Sequence, residues 1–176
     1  MELTNRELWG LIHGMGFGAL FLLAFAGGLA GLYSLRPELL TVTGMRERMT
    51  RLVSGTWLMA IAAWGTVITG TYIVYPWYRA KPPAGANLID YPRYYLLDKA
   101  NLAEWHNFGM EWKEHVAWFA PILATVVAFV VLRYGKRLAE KAFLRNTLIV
   151  TFVLAFAAAA VAGLMGALIT KAAPIH

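Results

Sequence analysis

Four long apolar runs constrain this chain more than any other feature of it. They cover residues 8–35, 52–75, 115–132 and 147–170. About 18–20 consecutive apolar residues cross a ~30 Å hydrocarbon layer as a helix, and each run reaches or exceeds that length. Membrane β-barrel strands would instead read as ~10-residue alternating segments, and the chain has none. Its hydrophobic content is 59% and its mean hydropathy +0.54, against ~45–50% apolar for an ordinary soluble domain. The fold class that follows is an all-α integral membrane protein. A single domain over residues 1–176 forms a bundle of four transmembrane helices. The stretch before the first run holds Arg6 but also Glu2 and Glu7, so it lacks the basic start of a cleavable leader, and the first span is expected to be retained.

Charge placement sets the expected orientation. The net charge is +6 and the isoelectric point about 9.7, values that would suit a nucleic-acid binder. Nine of the sixteen basic residues, however, lie in two short connections. Arg36, Arg46, Arg48 and Arg51 follow the first span; Arg133, Lys136, Arg137, Lys141 and Arg145 follow the third. Short basic loops stay on the cytoplasmic side. The pattern therefore implies topology and contact with anionic lipid, not nucleic acid. In a bacterium both termini and the long connection 77–114 would be periplasmic, and the location the inner (cytoplasmic) membrane.

That connection has its own organisation. Tyr75-Pro76-Trp77-Tyr78-Arg79 has the aromatic character of a headgroup layer. Asn101 and Glu104 have the spacing of a helix-starting box. Leu102, Trp105, Phe108 and Trp112 then repeat at helical spacing. We expect an amphipathic outer helix over residues 102–113, either lying in the interface or prolonging the third span. Gly109 is a candidate bend, and Pro121 should kink the third span and free the carbonyl of Ala117. The glycines of spans one and two and the alanines of span four suit close helix packing, and they also leave room for a flat macrocycle.

The absence of cysteine rules out disulfides, thiolate metal sites, iron–sulfur clusters and covalent c-type haem. Histidine is left as the carrier of chemistry. His13, His106, His115 and His176 all fall toward one side of the membrane in this topology. His13 and His115 lie near the same boundary on spans one and three. Such a pair has three readings: axial ligands of a b-type haem, another redox or metal site, or interfacial structural residues. A haem there would want cations for its propionates, with Arg79 and Lys81 as candidates and Tyr75 as a pocket wall. Glu111, one turn before His115, has the spacing to orient its ring.

His106 is the alternative ligand. On an unbroken helix it stands about 180° around and ~13.5 Å along from His115, so the two could not share one metal. His13 with Met15 and His106 with Met110 form imidazole–thioether pairs that suit copper. Spans one, two and four lack interior carboxylates, which argues against a two-metal carboxylate centre and an acidic proton relay.

His13, His115, the 75–79 edge and the run from Trp105 to Trp118 together resemble, in layout, small haem-b membrane subunits. Those subunits anchor periplasmic redox partners and exchange electrons with quinone. The resemblance implies one haem b near the outer face. It also implies electron transfer between the quinone pool and other membrane or periplasmic redox subunits, and an electron-transfer role rather than a stand-alone enzyme. The alternatives are a non-redox structural or assembly subunit of a larger membrane complex and a copper-handling membrane protein.

Overall fold

The computed structural model describes residues 2–173, the side chains of residues 42 and 43 excepted; His176 lies outside the described residues. Four long helices dominate it: α1 (Asn5–Tyr33), α2 (Gly44–Tyr78), α4 (Ala100–Leu138) and α5 (Ala142–Ala172). A short helix, α3 (Pro92–Leu97), lies in the connection between α2 and α4. The four-helix bundle is thus present, and each long helix is long and apolar enough to span a membrane. Only 22–39% of each apolar window is buried. Side chains such as Leu23 and Phe143 stand fully outward, as a hydrocarbon surround allows and water does not.

Local chemistry fixes the helix ends. Thr4 caps α1 in a reciprocal box with Glu7. Thr41 caps the start of α2 through Gly44 N–H. This helix starts eight residues before the apolar run because Arg46, Arg48 and Arg51 lower hydropathy without opposing helix. Gly135, at φ 52°, closes the main body of α4. The box expected at Asn101 does not form. The helix begins at Ala100 behind Lys99, whose carbonyl accepts from Leu102 and Ala103 N–H.

Neighbouring helices run antiparallel, and the contacts track each other in opposite directions along the chain. On α1 and α2, His13 meets Thr69 and Gly70, Phe17 meets Gly65, Gly28 meets Thr56 and Gly31 meets Leu52. Between α2 and α4, Trp64 Nε1 donates to Thr125 Oγ1 at 3.1 Å. Between α1 and α5, Phe25 stacks on Phe156 at 4.1 Å and meets Phe152 at 5.4 Å. One core runs through the half of the bundle nearer the short connections, with Leu32, Leu35, Met59, Val127, Val131 and Phe152 fully enclosed. Glycines supply the close approaches. A Cβ on Gly28 would stand 2.8 Å from the Phe152 ring, and one on Gly31 2.9 Å from Leu52 Cδ1.

The segment before the third span is not a separate interfacial helix. It runs into the span as one element, so the long connection shrinks to residues 79–99. Gly109 is no bend either: it packs on Met165 of α5, where a Cβ would come within 3.2 Å. The irregularity falls later, at residues 112–118, just before Pro121. The Ala117 carbonyl that Pro121 cannot reach accepts from Ala120 N–H at 3.1 Å.

Candidate functional site

Three of the four long helices widen at the same level, in the half of the bundle nearer the termini. Residues 12–16 of α1, 70–74 of α2 and 112–116 of α4 each make a π-turn. Phe17 N–H donates to Ile12, Tyr75 N–H to Gly70 and Ala117 N–H to Trp112, each five residues back. Such widened turns interrupt the regular ladder and are frequent at functional sites. Two of these carry His13 and His115, and the third carries the glycine that His13 covers.

His13 is half-buried, and its Nδ1 lies 3.2 Å from Thr69 Oγ1. Thr69 spends its own hydroxyl hydrogen on the Gly65 carbonyl at 2.7 Å. A hydroxyl has one donor, so toward the imidazole it can only accept. The neutral ring must then carry its proton on Nδ1, which leaves the Nε2 lone pair free. Gly70 makes room for the ring: a Cβ there would stand 2.6 Å from His13 Cε1.

His115 is held through the same ring nitrogen by another route. Its Nδ1 is 3.1 Å from the Glu111 carbonyl and 3.3 Å from the Glu111 carboxylate. Both groups only accept from a proton-bearing nitrogen, so Nδ1 donates and Nε2 is again free. The i, i+4 spacing indicated this contact. The side chain is 68% exposed, and its polar partners lie on its own helix.

His106 is the most enclosed of the three, at 4% exposure. Tyr78 O–H and His106 Nδ1 are 2.6 Å apart, and their rings sit 5.7 Å apart. Tyr75 stacks beside Tyr78 and hydrogen-bonds through its hydroxyl to Glu114. The Arg79 guanidinium lies over the Tyr75 ring at 5.1 Å, and Lys81 is exposed. Arg93, from α3, is within electrostatic reach of Tyr75, Tyr78 and His106.

The structure therefore joins His13 to Thr69 and Gly70, and His106 to Tyr78. It does not join His13 to His115: α1 and α4 stand diagonally in the bundle, each packed on α2 and α5. Among the described residues no hydrogen bond or ring contact links the two imidazoles. Nor does any group of three or more histidine or carboxylate side chains there have the spacing of a metal site. Met15 of the copper reading is 70% exposed, and His106 Nδ1 is already occupied by Tyr78. In donor chemistry His13 and His115 suit a haem: two imidazoles, each with its Nδ1 committed to the protein.

Lys113 is the residue that the sequence reading passed over. It lies in the π-turn of α4, with its Nζ against Gly166 of α5 and within electrostatic reach of His13. No hydrogen bond or ion pair to a protein group holds it among the described residues. Beside it, Trp112 Nε1 donates to the Ala158 carbonyl of α5 at 2.9 Å. The signal was in the spacing, for His106, Gly109 and Lys113 recur at helical intervals on the inward face. An ammonium inside a membrane bundle is costly and marks a site.

Comparison with known proteins finds no matching family model, no matching curated protein and no matching solved structure. The residues and their contacts alone therefore carry the functional argument.

Proposed function

We propose that the chain is a membrane redox subunit that holds one b-type haem, with His13 and His115 as its axial imidazoles. It passes electrons between the quinone pool and a partner on the periplasmic side of a bacterial cytoplasmic membrane. The observation that carries this reading is the hydrogen bonding of the two rings. Each donates its Nδ1–H to a protein acceptor and keeps an Nε2 lone pair available for iron. When bound, the haem supplies reversible one-electron chemistry.

The chain's own residues do the rest. Thr69 fixes the His13 tautomer and ring orientation, and Gly70 lets the ring lie against α2. Glu111 does for His115 what Thr69 does for His13. Lys113 places a positive charge inside the bundle for a carboxylate edge, while Arg79, Lys81 and Arg93 supply charge at the rim.

The test is the visible spectrum of the full-length protein, expressed with haem available, oxidised and reduced. The expected spectrum is that of a low-spin b-type haem. His13→Ala and His115→Ala should each lose or convert it. A colourless wild-type protein, or wild-type spectra from both variants, overturns the proposal. Loss of colour in His106→Ala alone would move the ligand to His106. Orientation is checked separately: labelling at Lys136 from the periplasmic side would reverse it.

A further inference from the structure

A second site lies at the opposite end of the bundle, where the two short connections meet. A cavity of about 650 Å³ opens there between residues 36–39 and 139–145. Its inner wall is Arg145, in the first turn of α5 and only 8% exposed. Nη1 of this residue donates to the Leu35 carbonyl at 2.7 Å and to the Ala139 carbonyl at 3.1 Å. One nitrogen thus ties both connections to the bundle. A guanidinium carries five N–H groups in a planar fork, and three of them belong to Nε and Nη2. No protein acceptor meets those nitrogens among the described residues, and neither is sealed away from open space without a partner. Their donors are left for whatever enters the cavity.

Arg36 stands on the facing wall, with its guanidinium over the Tyr33 ring at 4.3 Å. Glu38 and Glu140 also line the cavity, but both are exposed, where water and salt screen them. Arg145 is enclosed, so its field is the less screened. The two connections together hold nine basic residues against Glu38, Glu47 and Glu140. The cavity sits where the apolar spans end, and its surroundings are apolar and outward-facing: Tyr33, Leu39 and Phe143 are 57%, 51% and 87% exposed.

We propose that this cavity binds the phosphodiester headgroup of an anionic phospholipid. Arg145 and Arg36 grip the phosphate oxygens, and the acyl chains run along the exposed apolar side chains beside it. A fork of guanidinium donors matches phosphate oxygens in geometry as well as charge. The apolar rim favours a lipid over a free anion. The inference is independent of the haem reading, and either can fail alone.

The test uses the full-length protein in neutral detergent, with thermal unfolding and native mass spectrometry as readouts. Phosphatidylglycerol should be retained at one molecule per chain and should raise the unfolding temperature; phosphatidylcholine should do neither. Arg36→Gln, on the exposed rim, should bind phosphatidylglycerol about five-fold more weakly, the scale of one basic residue near an anionic surface. Arg145→Lys keeps the charge and a donor for the Leu35 carbonyl but removes the fork, and should weaken binding at least as much. Equal binding by wild type and both variants overturns the site, as does equal retention of phosphatidylcholine. Stabilisation by inorganic phosphate alone, lost in the same variants, would overturn the lipid assignment in favour of a free anion.

Discussion

Replacing Thr69 with Val tests the centre of the argument, that a hydroxyl on α2 sets the protonation pattern of His13. In the native chain Thr69 Oγ1 gives its hydrogen to the Gly65 carbonyl and accepts from His13 Nδ1. Valine keeps the shape and removes the acceptor. Losing that acceptor costs a half-buried N–H about 1–2 kcal/mol, toward the lower part of the range because the Thr66 carbonyl remains within reach of the ring. That energy bears on one tautomer only, and ~1.4 kcal/mol is a tenfold change in an equilibrium constant. The Nδ1–H form should therefore lose roughly ten-fold in population relative to the Nε2–H form. Affinity for any metal group that needs the Nε2 lone pair should fall in proportion to the competent fraction. Nitrogen-15 spectra of protein labelled at histidine read the tautomer directly, and a haem titration reads the affinity. Thr69→Ser, which restores a hydroxyl able to bond back to the Gly65 carbonyl, should recover both. If Thr69→Val keeps the wild-type tautomer and the wild-type affinity, the hydroxyl does not set the ring and the tautomer argument fails.

Further substitutions probe the bundle itself. Lys113→Met removes an ammonium that no protein group pairs, so the apo bundle should unfold at higher temperature. The gain is bounded by the ~3.5 kcal/mol upper cost of a lysine at a span centre, while haem retention should drop; a lower apo unfolding temperature would show that Lys113 has a structural partner. Gly28→Val should destabilise by about 1–3 kcal/mol, because the new Cβ would meet the enclosed Phe152 ring at 2.8 Å. The neighbouring Gly27→Ala faces open space and should be close to neutral in the same unfolding measurement.

The four spans were legible because length and hydropathy alone decide whether a helix can cross hydrocarbon. Their ends were less so. Arg46, Arg48 and Arg51 hid the first turns of α2, and the polar residues before His115 hid the first turns of α4, although both stretches favour helix. The aromatic stripe of that segment is legible as a stripe, and it faces outward from the bundle. Trp105 and Phe108 are 63% and 50% exposed, whereas His106 and Gly109 are buried. Beside lipid the usual rule turns over: large apolar side chains face out, and small or polar ones meet the neighbouring helices. The same inversion explains why Lys113 went unnoticed. The Glu111–His115 contact was legible because i, i+4 neighbours need no tertiary knowledge. The Thr69–His13 and Tyr78–His106 pairs were not, since each joins residues of different helices whose rotation about their axes the sequence leaves open.

The length of α4 bears on how a partner can reach this protein. Its 39 residues measure on the order of 58 Å at 1.5 Å per residue. A hydrocarbon layer is ~30 Å thick, and ~40–45 Å with its headgroups. The short-connection end is moored among basic residues, so the surplus emerges at the other face. There the first turns of α4, braced by Tyr78 against His106, have the length to pass beyond the hydrocarbon, with Trp105 and Phe108 turned outward at the level of the headgroups. A partner docking at that face would meet a helical edge and not a flat membrane.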